Sequence, residues 1–172
     1  QKKMWGLTDS VQLDKYHLQT YCIGVNRSVL CLKEWYRFWL GFSPVGSKLA
    51  LVERGEIGIT QEMLQHGTEI TAHYSLTRLL TESSSVGEEL AGIEVGDIRC
   101  INPTVFAWKS LLDIGFPFIK KQVLFEPCEG RVPKMVSLSE IKKHLPVDAD
   151  SSKILHDIQQ LMQSRFLRRS GI

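Results

Sequence analysis

The stretch His17-Leu18-Gln19-Thr20-Tyr21-Cys22-Ile23-Gly24-Val25 reads as a β-strand, in which successive side chains point to opposite faces. His17, Gln19 and Tyr21 then project together as hydrogen-bonding groups of different reach, with Leu18, Thr20, Cys22 and Gly24 behind them. A strand placed for stability alone more often gives its polar face to Lys, Glu or Thr. This row suits the wall of a polar cleft of the kind that holds a sugar. It equally suits the edge of a core, with His17 and Tyr21 as caps and Gln19 on the backbone.

Outward from this strand, Met4 to Leu7 predicts a short buried strand that ends in the turn-prone Thr8-Asp9-Ser10. Residues 28–40 predict a helix capped by Ser28, with Leu32, Trp35, Tyr36 and Trp39 as a core-facing stripe. Residues 48–66 predict helix with an interruption at Arg54-Gly55-Glu56-Ile57-Gly58; the second piece stops at Gly67, a suitable C′ glycine. Thr68 to Tyr74 alternates as a strand, and the serines and glycines of 81–99 predict a mobile loop. Asn102-Pro103-Thr104 opens a helix with Pro at N1 and an apolar stripe of Val105, Trp108, Leu111 and Leu112, ended by Gly115. Phe116 to Phe125 predicts an extended, edge-like segment. Ser137-Leu138-Ser139-Glu140 is a capping box opening a short helix that ends near Leu145. A final amphipathic helix carries Ile154, Leu155, Ile158, Leu161, Met162 and Phe166. The expected division is a domain over 1–133 and a helical appendage over 134–172.

A chain of 172 residues has the length of one domain and buries a real core. Its hydrophobic content of 43% and charged content of 23% are globular values, and a net charge of +2 gives no argument for nucleic acid. Arg165, Arg168 and Arg169 read as a solvated end, or as attraction to an anionic membrane surface. Cys22, Cys31, Cys100 and Cys128 show no C-x-x-C spacing and read as reduced thiols of a cytosolic protein. No signal peptide opens the chain, and no apolar stretch approaches the roughly 18 residues of a membrane span. The first residues enter an apolar segment with no polar lead-in, the expectation for a chain that starts partway through a larger fold.

Phosphate-binding, dinucleotide, zinc-protease and serine-hydrolase motifs are absent, and the dispersed histidines lack metal-ligand spacing. The positive signal is Glu56, read as lying ahead of a helix N-terminus where unpaired N–H groups favour the carboxylate. Such a group suits a general base under a cleft. It also suits an ordinary acidic residue that only stabilises the helix.

Five segments stand in order: Trp5-Gly6-Leu7-Thr8-Asp9, Tyr16-His17-Leu18-Gln19-Thr20-Tyr21, Glu56-Ile57-Gly58-Ile59-Thr60-Gln61 with Gly67, Asn102-Pro103-Thr104 with Trp108, and Gly115-Phe116-Pro117-Phe118-Ile119-Lys120. Over residues 4–127 the chain resembles the rhamnan synthesis protein F family, rhamnosyltransferases of bacterial cell-wall and lipopolysaccharide assembly. The resemblance implies an α/β fold with a GT-A-like mixed sheet flanked by helices. It implies that the N-terminal nucleotide-binding part is lacking, so that 1–133 is the acceptor-side portion. It further implies inverting transfer from a nucleotide-sugar donor such as dTDP-rhamnose to a glycan acceptor. In related GT-A enzymes an acidic pair, followed eleven residues later by a glycine, opens the helix with the catalytic base; Glu56 to Gly67 is that interval. Glu56 is thereby the expected base, and Trp5, Asp9, His17, Gln19 and Tyr21 the expected acceptor side. A divalent ion, Mg or Mn, would neutralise the donor diphosphate in the full-length protein, although no metal ligand is assigned here. The expected place is the cytoplasm, at the inner face of the plasma membrane if there is peripheral contact. Where the family has Asn-Pro-Thr-His, this chain has Val105. The alternative to an enzyme is a non-catalytic carbohydrate-binding or interaction module.

Overall fold

The computed structural model describes residues 1–44, 46–91, 102–125, 136–145 and 152–160. Strand β1 (Lys3–Ser10) organises the sheet, pairing with the other three strands found among these residues. It runs antiparallel to β2 (His17–Leu18), with Ser10 opposite His17 and Asp9 opposite Leu18. It is antiparallel also to β3 (Ile23–Val25), with Gly6 opposite Ile23 and Met4 opposite Val25. Its neighbour β4 (Glu69–Tyr74) is parallel, from Lys3 opposite Glu69 to Thr8 opposite Tyr74. The protein is therefore mixed α/β, with a small mixed sheet and several helices.

The strand predicted over 17–25 is broken in two. Gly6 and Asp9 are three residues apart while their partners Ile23 and Leu18 are five apart, so two extra residues bulge out. The bulge is pinned by the Gln19 N–H to the Thr8 carbonyl at 3.0 Å and by the Leu7 N–H to the Cys22 carbonyl at 3.2 Å. The expected alternation fails as a result: His17 and Leu18 are both fully buried, and Tyr21 is turned outward.

Asn26, not Ser28, caps the next helix, accepting the Val29 N–H. Extended backbone at Leu32 splits the predicted helix into α1 (Arg27–Leu30) and α2 (Lys33–Gly41). Trp35 and Phe38 pack on the core, but Tyr36 and Trp39 are exposed, so the aromatic stripe lies only partly inside.

The predicted interruption near Gly55 and Gly58 does not end the helix. Backbone stays helical through α3 (Lys48–Leu51), a π-helical turn over Val52–Ile57 and α4 (Gly58–Gln65). The Gly58 N–H reaches the Glu53 carbonyl five residues back, the bonding pattern of a π-turn. Both glycines serve close approach: a Cβ on Gly55 would stand 3.3 Å from the Phe42 ring and one on Gly58 3.2 Å from the Phe38 ring.

Residues 81–99 hold the end of α5 (Leu76–Glu82) and α6 (Val86–Leu90) rather than a loop throughout; the part beyond Ala91 lies outside the described residues. The helix expected after Asn102 is divided at Ala107 into α7 (Pro103–Phe106) and α8 (Trp108–Asp113). Gly115 ends it at φ 89°, a conformation other residues rarely adopt. The segment predicted to be extended turns helical as α9 (Lys121–Phe125). In α10 (Leu138–His144) the Ser137 hydroxyl accepts the Glu140 N–H, as the capping box predicts. A further helix occupies 152–160; Leu161, Met162, Phe166, the terminal arginines, Cys100 and Cys128 lie outside the described residues.

Met4 and Leu7, of opposite parity on β1, join different apolar clusters, so both faces of the strand are covered. Met4 packs with Leu18, Val29, Ile59 and Met63. Leu7 abuts Leu79, Ala107, Leu111 and Phe116. Ile141 and Ile158 of the tail share a third cluster with Val105, Trp108, Val123 and Leu124. Val105 is thus a core side chain, 4% exposed.

A candidate acid–base site at the strand break

The strand break and the π-turn meet. Thr60 of α4 donates its hydroxyl to the Glu56 carbonyl at 2.8 Å and accepts the Leu18 N–H at 3.1 Å. One buried threonine thus back-bonds to the carbonyl one turn earlier and ties the helix to β2. Glu56 therefore owes its position to packing between helix and strand. The helix begins at its Ser47 cap, well before Glu56, so the expected location of this residue at a helix N-terminus is corrected.

The Glu56 side chain is 22% exposed and turns one oxygen inward and one toward the bulge. Oε2 lies 3.8 Å from His17 Nε2. Oε1 lies 3.4 Å from the Thr20 N–H and 3.3 Å from its hydroxyl, long contacts for hydrogen bonds. His17 is completely enclosed, and its Nδ1 faces the Lys15 carbonyl at 2.8 Å. A carbonyl only accepts, so Nδ1 carries the hydrogen and Nε2 is left facing the carboxylate. Among the described residues Nε2 has no hydrogen-bond partner.

Asp9 lies at the other side of this histidine's strand pairing. Its carboxylate accepts the Leu76 N–H at 2.6 Å and the Tyr16 hydroxyl. Burial raises the Asp9 pKa above 3.8, opposed by these hydrogen bonds and by the His17 charge. Tyr16 is pushed up to about 12 by burial and by the Asp9 charge.

Beside the pair runs a chain of hydrogen bonds. Thr8 Oγ1 donates to Gln19 Oε1 at 2.7 Å, which uses its only proton, so the Tyr21 hydroxyl at 2.6 Å donates to Thr8. Gln19 Nε2 donates to Asn102 Oδ1 at 3.0 Å. That oxygen also accepts the Thr104 N–H at 3.1 Å and hydroxyl at 2.6 Å, and Lys120 Nζ reaches the Thr104 hydroxyl at 3.2 Å. Tyr21 is 49% exposed, yet burial of its surroundings pushes its phenol up to about 12, helped by Cys22 and Glu56.

The structure thus gathers Glu56, His17, Gln19 and Tyr21 around the bulge, with Asp9 electrostatically linked to His17. Of the expected wall, His17 and Gln19 face inward at 0% and 2% exposure, and Tyr21 alone opens outward. Trp5 stands apart, four residues before Asp9 on β1, a strand rise of roughly 13 Å. It is 48% exposed and lies over Gly24, where a Cβ would stand 2.2 Å from its ring. Sequence reasoning missed Thr8, Thr20 and Thr60, which place these groups; threonines near turns are too common to be a signal. Asn102 was visible as a helix cap, but not as a partner of Gln19.

The described residues do not fit a divalent ion. Asp9 is turned to the Leu76 N–H and the Tyr16 hydroxyl, Glu56 faces a histidine, and no cluster of three potential metal-ligating His, Cys, Asp or Glu occurs among the described residues. Cys22 and Cys31 are free thiols. None of the described helices is long and apolar enough to cross a membrane.

Fold and site together define a mixed α/β protein with an enclosed histidine–carboxylate pair beside a half-open tyrosine. In comparisons, the chain is 26% identical over 136 residues to the virulence protein VirA of Vibrio anguillarum, including that of strain ATCC 68554 / 775. The match covers 71% of this chain and 44% of VirA, so the chain spans less than half the length of these curated relatives. No family model and no solved structure matches.

Proposed function

We propose that this chain is the acceptor-side portion of an inverting, GT-A-like glycosyltransferase of the rhamnan synthesis protein F type, with Glu56 as its base. The observation that carries the reading is the partly exposed Glu56 carboxylate beside the strand bulge, with one oxygen toward Thr20 and the other toward His17. Its substrates are a nucleotide-sugar donor such as dTDP-rhamnose and a growing cell-wall, capsular or lipopolysaccharide glycan, met in the cytoplasm or at the inner face of the plasma membrane. The bacterial source of the relatives agrees with such a substrate.

In the proposed step Glu56 takes the proton of an acceptor hydroxyl as that oxygen attacks the anomeric carbon. The bond from that carbon to the nucleotide's phosphate oxygen breaks and its electron pair leaves with the diphosphate. Trp5 and Tyr21 meet the acceptor directly, their exposed rings suited to the C–H face of a sugar. Asp9, His17 and Gln19 act from behind, fixing Tyr16, Glu56 and Tyr21.

The test is to incubate the full-length protein with a panel of nucleotide-sugars and a bacterial glycan acceptor. Release of nucleoside diphosphate together with glycan extension is expected. A protein that binds glycan but transfers from no donor would instead be a carbohydrate-binding module, the reading that the exposed Trp5 shelf alone favours.

A further inference from the structure

Resting on that reading, we propose that His17 is a positioning residue for Glu56 and the internal destination of the proton that Glu56 removes. The argument starts from donors and acceptors. With Nδ1–H committed to the Lys15 carbonyl, neutral His17 presents only a lone pair at Nε2. Facing it across 3.8 Å is Oε2 of Glu56, another acceptor. Nε2 is buried and no donor reaches it. An orphaned buried acceptor costs free energy unless something answers it. In the resting pair neither group holds a proton at this contact; the proton that Glu56 takes from the acceptor is the one that answers both, first as carboxylic acid against imidazole and then as carboxylate against imidazolium.

Among the described residues no neighbour supplies Nε2 with a donor. On β1, Asp9 is a further acceptor, and the Tyr16 hydroxyl is committed to it. Thr20 turns its N–H and hydroxyl to Oε1 of Glu56. From the bulge, Tyr21 gives its proton to Thr8. From α4, the Thr60 hydroxyl is held by the Glu56 carbonyl. The gap exceeds hydrogen-bond length by about 0.6 Å, a closure within reach of a glutamate side-chain rotation.

The proton balance is complete. The acceptor O–H bond breaks and the proton goes to the Glu56 carboxylate while the new glycosidic bond forms. Glu56 then passes it to His17 Nε2, regaining its charge, and His17 later returns it to solvent through Glu56. His17 never touches the sugar, which its full burial requires.

Two arms test this. In the protein labelled with nitrogen-15 at histidine, NMR should show His17 with its hydrogen on Nδ1. Glu56→Gln should move the Nε2 nitrogen-15 shift, because an amide then replaces the carboxylate that faces this atom. An unmoved Nε2 shift overturns the pairing whatever the protein's activity. In the full-length enzyme, His17→Asn retains a donor for the Lys15 carbonyl but has no Nε2. Its kcat should fall about 10- to 100-fold, the acceptor KM should stay near wild type, and the pH–rate profile should change shape. The conservative His17→Gln, which offers an amide toward Glu56, serves as a second variant should the first fail to fold. Wild-type kcat in either folded variant overturns the relay. A wild-type protein inactive on every donor overturns the functional reading and the relay with it, while the nitrogen-15 spectrum still decides the pair.

Discussion

Oε2 of Glu56 lies 3.8 Å from Nε2 of a completely buried His17, and among the described residues that nitrogen has no hydrogen-bond partner. Two departures from regular backbone create it. A bulge of two residues breaks the strand after Leu18, and a π-turn carries Glu56 to the break. Local irregularity of this kind persists only where surrounding contacts hold it, and π-turns often occur at functional sites.

Thr60 is the clamp between these irregularities, so Thr60→Val should loosen both. The substitution removes the acceptor of the buried Leu18 N–H, a loss of about 1–3 kcal/mol. Denaturant unfolding measures it. A change below about 0.5 kcal/mol, the range of ordinary surface substitutions, would mean that the two elements hold their places without it.

Gly24 is predicted to tolerate no side chain. A Cβ there would stand 2.2 Å from Cε2 of Trp5, so Gly24→Ala must push the indole off the sheet. Overpacking of this kind costs about 1–3 kcal/mol. Because the clash is with one ring, Trp5→Ala should relieve most of it, and the double variant should be markedly non-additive in a mutant cycle. Additive losses would show that the ring is free to move.

Much of this was legible in sequence and some was not. The strand Glu69–Tyr74, the Asn102 and Ser137 caps and the Gly115 terminus follow from local rules, and the structure has them where those rules place them. The glycines at 55 and 58 misled, because glycine also marks close approach, here by Phe42 and Phe38. The row His17, Gln19, Tyr21 misled in another way: period-two alternation assumes an unbroken ladder, and no residue between 18 and 23 announces a bulge. Glu56 stands beside His17 of this row, but a tertiary rationale replaces the helix terminus expected for it.

Acid should loosen the tail before the site. Glu140 is held down to about 2 by hydrogen bonds from Lys109 and Lys143. Burial pushes Asp113 up, but hydrogen bonds from Ser85 and His144 outweigh it and its pKa is lowered. Carboxylates with depressed folded pKa contribute stability above their unfolded values, lost as pH falls through the folded ones. For Glu140 that window runs from 4.5 down to about 2. Asp9 has the opposite sign: its pKa is raised, so its contribution declines as pH rises above 3.8. Hydrogen-exchange protection should therefore fall around Ile141 before it falls in β1 as pH drops below 4.5, and Glu140→Gln should flatten that dependence. Simultaneous loss at both places would contradict the assignment.

The central claim is that the Glu56 carboxylate takes a proton from the acceptor, and glycosyl transfer by Glu56→Gln in the full-length protein tests it most directly. The amide keeps the shape and cannot act as a base. Turnover should fall about 10²- to 10⁴-fold with nucleotide-sugar affinity close to wild type. Transfer at the wild-type rate by a correctly folded Glu56→Gln protein would contradict the account.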